Sequence, residues 1–362
     1  MVTRKTGKIT KKILSQTKKS LISLISKKTK SSKLDKYLGY PFLKNSLKLD
    51  VPDIKQSAKR LKRQLHIYDN EKQLPAKIRQ SNKGKIARLN MGRIQNEIAI
   101  IISPWKDFDF INRITDYFTE ECRIKCVFKG SKAPLEYWGK NRDSLKTELV
   151  KRGKPVTDYW LRELMYERNK PCNNFRVSVC LEVLRMFKPK RWLDISAGWG
   201  DRLLSALLYD DLQFYCGVDP NPCLHPLYQK MINEFSGLKS NEKYVLIKDG
   251  FETAELPVGV KYDLVFSSPP FFDLEVYSGV ESNSYVKYKG VEGWFNGFLM
   301  PAIYKAVEHL EKGGYLVLYM GESQGTKYIP KMVELVDKVM VNCGVFYYTD
   351  GAKLREFFCW RK

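Results

Sequence analysis

The chain has 362 residues, with 63 Lys and Arg against 40 Asp and Glu, three His and a formal net charge of +23. That length suits two or three domains, and a hydrophobic share of 43% can fill a core of matching size. No apolar run approaches the roughly 18 residues that a membrane span needs, and the N-terminus lacks the apolar core and small-residue cleavage site of a secretory signal. Eight cysteines are too sparse for a disulfide scaffold. Cys122 and Cys126 have no second Cys/His pair near enough to complete a zinc site. No metal is expected, and the cysteines read as reduced thiols of an intracellular protein.

Charge is concentrated at the front. Residues 1–90 hold 25 Lys/Arg and 5 Asp/Glu, whereas residues 91–362 hold 38 and 35. The first eleven charged residues, Arg4 to Lys33, are all basic and are interleaved with Ile13, Leu14 and the apolar positions of 21–26. Such a basic amphipathic segment suits nucleic acid, an anionic membrane surface or an organelle transit peptide, and like-charge repulsion favours a solvated tail in isolation. Residues 1–35 are therefore expected as a disordered basic tail and 36–92 as a basic, mostly helical region. A polyanion is the implied partner. The run at 98–103 predicts a buried strand, 110–118 a helix and 124–128 a second strand, so that 93–135 forms a small α/β unit. Helices are predicted at 145–150, 159–166 and 177–187, separated by the 153–155 turn and by Asn173-Asn174.

After Pro189 the texture is regular. Strands at 192–195, 214–219, 244–247, 264–267 and 315–320 alternate with helical stretches near 201–210, 225–236, 291–312 and 327–342. That alternation predicts an α/β fold with a doubly wound parallel sheet. The segments 345–348 and 357–360 predict a terminal antiparallel hairpin that closes the sheet. Oligomeric state has no signal.

Three strand ends carry candidate ligand groups. The first runs Asp194-Ile195-Ser196-Ala197-Gly198-Trp199-Gly200, a glycine turn of the kind that lets backbone approach a nucleotide. It lacks the third glycine of a pyrophosphate site, and Asp194 suits a cationic amino group better than a phosphate. The second ends Asp219-Pro220-Asn221, where a carboxylate binds a ribose diol. The third ends Asp249-Gly250-Phe251, a polar acceptor beside an adenine and an aromatic for its face. Amino group, ribose and adenine without phosphates describe S-adenosyl-L-methionine. The pattern resembles the class I methyltransferase (Rossmann-like) fold over about 172–362. In amino-methyltransferases a segment like Phe175-Arg176 packs at the methionine end. That resemblance implies that Arg176 pairs with the cofactor's carboxylate and Phe175 packs on it, the alternative being a core Phe beside an Asn174 helix cap.

The fourth strand ends Ser267-Ser268-Pro269-Pro270-Phe271-Phe272. Ser268-Pro269-Pro270-Phe271 is similar to the Asp/Asn/Ser-Pro-Pro-aromatic loop of methyltransferases acting on exocyclic amines of nucleobases. The physical reason is that such an amine is conjugated with its ring and is a poor nucleophile. Acceptors at Ser268 and at the Pro269 carbonyl can each take one N–H and draw the nitrogen toward tetrahedral geometry. The prolines fix those acceptors in advance, and Phe271 offers a face to an unpaired base. The resemblance implies adenine-N6 or cytosine-N4 chemistry, the serine leaning toward cytosine and DNA. The stretch 273–278, Ser284-Tyr285 and Trp294 resemble DNA methylases of phages and large DNA viruses, although Trp294 and Phe298 sit at core-like helical spacing. An RNA adenosine-N6 enzyme, a silent nucleic-acid-binding scaffold and a protein glutamine methyltransferase remain open. Residues 136–362 are expected as the methyltransferase domain. It is nearly neutral, so the grip on substrate is expected in the basic front end.

Overall fold

The computed structural model describes residues 39–82, 99–103, 110–237, 242–277, 280–323, 325–351 and 353–362. The tail expected at 1–35 lies outside the described residues. The front of the chain supplies α1 (Val51–Arg60), β1 (Leu65–Tyr68), α2 (Ala76–Ser81) and β2 (Ala99–Ile102). There follow α3 (Ile114–Arg123), β3 (Val127–Phe128), α4 (Pro134–Lys151), α5 (Asp158–Arg168) and α6 (Val177–Phe187). Strands and helices then alternate through β4 (Arg191–Asp194), α7 (Asp201–Leu208), β5 (Phe214–Val218), α8 (His225–Ser236), β6 (Tyr244–Ile247) and β7 (Tyr262–Ser267). Short β8 (Glu275–Val276), α9 (Ser284–Lys287) and α10 (Gly290–Trp294) lead to α11 (Met300–His309), β9 (Leu310–Tyr319) and α12 (Ile329–Asp337). The chain ends in β10 (Val341–Thr349) and β11 (Leu354–Arg361).

The central sheet has the order β1-β2-β10-β11-β9-β7-β4-β5-β6. β6, β5, β4, β7 and β9 are mutually parallel, and β11 is antiparallel to β9 and β10. This is the doubly wound, Rossmann-like arrangement that the alternation predicts. These strands read as apolar runs because helices cover both faces; Trp192, Leu193, Val265 and Phe266 are fully buried. α6 shows the same logic, with Val177 through Leu184 buried. It ends where Lys188 turns left-handed at φ 52° ahead of Pro189, which cannot continue a helix. Truncating a residue such as Leu184 to Ala would remove about 2–5 kcal/mol of stability. The chain leaves β4 toward β5 and β6 and returns to β7 on its other side, so the crevice beyond the carboxyl ends of β4 and β7 is the topological switch point.

Four expectations change. The segment 93–135 is no separate unit: β2 pairs in parallel with Tyr347 and Tyr348 of β10, while β3 pairs with β8 in a second small sheet. All four residues of β2 are buried: Ile100 and Ile102 cluster with Ile54 and Ala58 of α1, and Ala99 and Ile101 with Leu74 and Ile78, so residues of the front of the chain help cover both faces while the edge pairs with the main sheet. The basic region 36–92 contains a strand as well as helices, β1 pairing antiparallel with β2. The terminal hairpin therefore does not close the sheet, which continues through β2 to an edge at β1. Finally, Cys122 of α3 forms a disulfide with Cys223, their Cα atoms 6.0 Å apart and 101 residues distant in sequence. The reduced-thiol reading fails for this pair because α3 packs on α8, bringing together cysteines whose spacing gives no hint of contact. The other six cysteines are buried and form no disulfide. No helix among the described residues is long and apolar enough to cross a membrane.

A buried charge network docks α3 and α5. Arg123 donates to both oxygens of Asp116 at 2.7 Å, and Arg162 donates to Glu120 at 2.6 Å and also to Asp116. Burial alone would raise the Asp116 pKa, but Arg123 and Arg162 outweigh it and hold the carboxyl below its ordinary value.

Candidate active site

At the β4 turn, Gly198 and Gly200 take φ of 61° and 92°, a region that side chains with a Cβ rarely adopt. The turn hangs from Asp194, which is fully buried. Its carboxylate accepts from Arg202 Nε at 2.8 Å, Tyr215 Oη at 2.9 Å, Ser267 Oγ at 2.7 Å and the Ser196 N–H at 3.3 Å. Four donors fill the roughly four acceptor sites of a carboxylate. Asp194 is thus corrected from ligand to anchor: it ties β4, β5 and β7 together beneath the turn. A Cβ at Gly217 would lie 2.8 Å from Tyr215 Oη, so that glycine clears the phenol's path to Asp194.

Asp219, at the end of β5, accepts the Gly198 N–H at 2.8 Å and the Asn221 N–H at 2.9 Å, one on each oxygen. Burial pushes its pKa up to about 6. It stands with Ser196, Gly198, Pro220, Asn221, Asp249 and Gly250 on a cavity of about 840 Å³. Phe251 borders the same cavity but is only 1% exposed, held beneath the Lys305 ammonium. It belongs to the core and has no ring face to offer, which corrects the expected stacking role. Gly200 is also buried and shapes the turn from behind, against Met231 and Tyr228.

A second cavity of about 350 Å³ adjoins the first and is bordered by Phe175, Arg176, Ala197, Pro269 and Phe271. Phe175 is ringed edge-on by Phe266, Tyr319 and Phe357 at 5.5–6.3 Å between centroids. Asn174 caps no helix: its Oδ1 accepts no hydrogen bond and α6 starts after Arg176 without a side-chain cap, while its Nδ2 donates to Asp116 at 3.0 Å. Asp201, deep on the same side, accepts the Phe175 N–H at 3.1 Å, and burial raises its pKa to about 7.

The two cavities meet at Gly198, Trp199, Ser268, Pro270 and Tyr277, which border both. The loop after β7 turns sharply there. Phe272 has φ of 54°, a strained value for a bulky side chain, and is held by Trp294 and Tyr285 at 5.7 and 6.1 Å. Phe271 instead leans on Tyr319 at 5.8 Å and borders the second cavity. Trp294 is fully buried with Phe298 nearly so, in agreement with their core-like spacing.

Several residues at the site have no signal in the linear sequence. Glu252 has a side chain 7% exposed that takes Lys287 Nζ of α9 at 2.9 Å and Tyr288 Oη at 3.1 Å, closing one side of the first cavity. Lys170, Tyr348 and Arg355 border the second cavity, although they come from widely separated parts of the chain.

No protein-family model and no curated protein sequence matches the chain. Among solved structures it is similar to TrmN from Thermus thermophilus, at 15% identity over 52% of this chain and 49% of that one, with a TM-score of 0.37. It is also similar to a putative rRNA methylase from Clostridium thermocellum, at 19% identity over 50% of this chain and 94% of that one, TM-score 0.37. A third is the M. jannaschii tRNA m1G37 methyltransferase, at 17% identity over 51% and 50%, TM-score 0.32. The chain spans about half the length of the first and third of these. Likeness this slight carries no argument about substrate, and the fold stands on strand order and register alone.

Proposed function

We propose that the protein is an S-adenosyl-L-methionine-dependent methyltransferase acting on the exocyclic amine of adenine (N6) or cytosine (N4) in nucleic acid, with DNA favoured. One observation carries the reading: Ser268-Pro269-Pro270-Phe271 lies at the carboxyl end of β7, at the switch point, where a larger cavity bordered by acidic loop ends meets a smaller one bordered by aromatic rings.

The larger cavity suits this cofactor. Asp219, Asp249, Glu252 and Glu281 border it along with Lys248 and Lys287, the latter paired with Glu252, an acidic balance that suits ribose hydroxyls and an adenine amino group better than a pyrophosphate. Arg202, the basic group nearest the glycine turn, is spent on Asp194. Asp219 would hold the ribose and Asp249 the adenine. The Ser196–Gly198 backbone, Phe175 and Arg176 would hold the methionine end. Bound there, the cofactor supplies an electrophilic methyl group.

The chain's own residues do the orienting. Ser268 Oγ accepts one N–H of the target amine and the Pro269 carbonyl the other, which localises the nitrogen lone pair. Two prolines and the packed Phe272 keep these acceptors in place before reaction, so little reorganisation is needed. Phe271, backed by Tyr319, offers a face to a base taken out of its stack. Ser268 orients and exchanges no proton, since the amine can lose its proton after methylation. The basic residues 1–90 are assigned to the nucleic-acid backbone.

Incubation of the protein with labelled S-adenosyl-L-methionine and either DNA or RNA, followed by nucleoside mass spectrometry, tests this. N6-methyldeoxyadenosine or N4-methyldeoxycytidine is expected. N6-methyladenosine would move the substrate to RNA, and absence of any methylated nucleoside would overturn the assignment. Removing residues 1–38 is expected to weaken oligonucleotide binding and flatten its salt dependence; an unchanged slope would deny that segment a role in binding.

A further inference from the structure

With Asp194 filled by Arg202, Tyr215, Ser267 and the Ser196 N–H, a cationic amino group at the glycine turn needs another acceptor. Three carboxylates border the second cavity: Asp201, Glu275 and Asp350. Glu275 already accepts from the Asn173 N–H at 2.7 Å and from its Nδ2 at 3.1 Å. Asp350 is exposed and lies 4.0 Å from Arg176 and 3.8 Å from Arg355. Asp201 differs from both. It is 2% exposed, its Oδ2 accepts the Phe175 N–H at 3.1 Å, and its Oδ1 is buried without a hydrogen-bond partner. The Thr115 hydroxyl of α3 is near enough to lower the Asp201 pKa but completes no hydrogen bond. Arg202, next along α7, is committed to Asp194 and the Ser196 carbonyl.

A second acceptor stands beside the first. Asn174 borders the same cavity, and its Oδ1 is likewise buried and unpartnered. Its Nδ2 donates to the Asp116 carboxylate, which settles which end of the amide accepts. The N–H that Asp201 takes belongs to the peptide joining Asn174 to Phe175, so both oxygens flank one backbone unit. A buried acceptor without a donor is costly, and folded chains rarely keep two together.

We propose that Asp201 and Asn174 seat the cofactor's α-ammonium group while Arg176 takes its carboxylate, an assignment that rests on the proposed S-adenosyl-L-methionine chemistry. An ammonium brings three donors and no acceptor, the complement of two vacant acceptors of which one is a carboxylate. Burial, with the nearby Asp116 charge, disfavours the ionised form of Asp201 and raises its pKa to about 7, although Thr115, Arg202 and the Phe175 N–H oppose the rise. A cation on Oδ1 favours the ionised form. Gly198 borders both cavities, so one ligand can lie across the turn with its ribose at Asp219 and its amino-acid end at Asp201. The amino group expected at Asp194 is thus received one helix turn further along the chain, by the acid that opens α7.

The test titrates the full chain calorimetrically with three ligands. They are S-adenosyl-L-methionine, its decarboxylated form, which keeps the amine, and 5′-methylthioadenosine, which has neither amine nor carboxylate. Asp201→Asn, nearly isosteric, is expected to weaken the first two about 10–100-fold, as befits a lost hydrogen bond to a charged group, and to leave the third unchanged. Asn174→Ala should act on the same two ligands by a smaller factor, about threefold. Arg176→Gln should weaken S-adenosyl-L-methionine alone. Binding of 5′-methylthioadenosine at the parent affinity shows that each variant is folded. Equal losses for all three ligands in both Asp201→Asn and Asn174→Ala would make these residues structural and overturn the seat. Unchanged affinities in both would overturn it too, leaving the two oxygens to water. A parent that binds none of the three ligands fails the cofactor reading, whereas a parent that binds them while both variants are indifferent fails the seat alone.

Discussion

The first cavity takes most of its walls from the carboxyl ends of β4, β5, β6 and β7, in the order in which the chain forms them, with Glu281 to Lys287 closing one side. The second takes its walls from the segment before α6, the loop after β7 and the terminal hairpin, parts far apart along the chain. A strand end in a parallel sheet is a local object: the residue after the last buried position points into the crevice, so Asp219 and Asp249 announce themselves. A wall made by β11 lying between β9 and β10 is not local, because nothing near Arg355 in sequence says which strand it pairs with. The first cavity fits one small molecule held by fixed groups. The second is smaller and has both cations and aromatic rings along its border.

If the cavities divide the work in this way, substitutions should divide too. The largest effect is expected at their junction. Ser268→Ala should lower methyl transfer about 100–1,000-fold while leaving the affinities for cofactor and oligonucleotide nearly intact; a variant that transfers at the parent rate would remove the orienting role. Next comes the bridge that ties α3 to the loop two residues past Asn221. Cys122→Ser should lower unfolding stability by about 2–4 kcal/mol, given the long loop closed, and denaturation of the parent with and without reductant should give the same difference. Identical midpoints would mean that the disulfide does not form.

A smaller, one-sided effect is expected from Asp219→Ala, about tenfold in cofactor affinity for the loss of a hydrogen bond to a charged group, with oligonucleotide binding unaltered. The parent should show a matching pH profile. Burial raises the Asp219 pKa to about 6, so the ionised acceptor is present above that value and lost as the pH falls through it. Cofactor affinity is then expected to fall on the acid side of pH 6, and Asp219→Asn should abolish that inflection. An inflection that survives the substitution would assign it to another group.

The alternation after Pro189, the glycine turn and the Pro-Pro-Phe loop are all legible in the sequence, because each is a short-range demand. Asp194 is legible as a residue of the turn but misleads as its ligand. Sequence shows that a carboxylate ends β4, but only packing shows Arg202, Tyr215, Ser267 and the Ser196 N–H already on it. Phe251 misleads in the same way, since an aromatic after a strand can face a cavity or the core, and here Lys305 and the neighbouring helix cover it. The strand at 99–102 is legible and its partner is not, because β2 joins a sheet whose adjoining strand lies more than 200 residues later.

By itself, then, the sequence determined the parallel sheet, its switch point and the acceptors along its edge. These follow from the period of apolar residues and from backbone geometry at glycine and proline, which act within a few residues. Tertiary structure alone decided that the front of the chain extends the sheet, that Cys122 meets Cys223, and that Lys170, Arg176 and Arg355 border one cavity with Asp201, Glu275 and Asp350. The same holds for the net positive charge: a sum over residues measures how much there is, whereas binding depends on the distances between charges, and only the fold sets those.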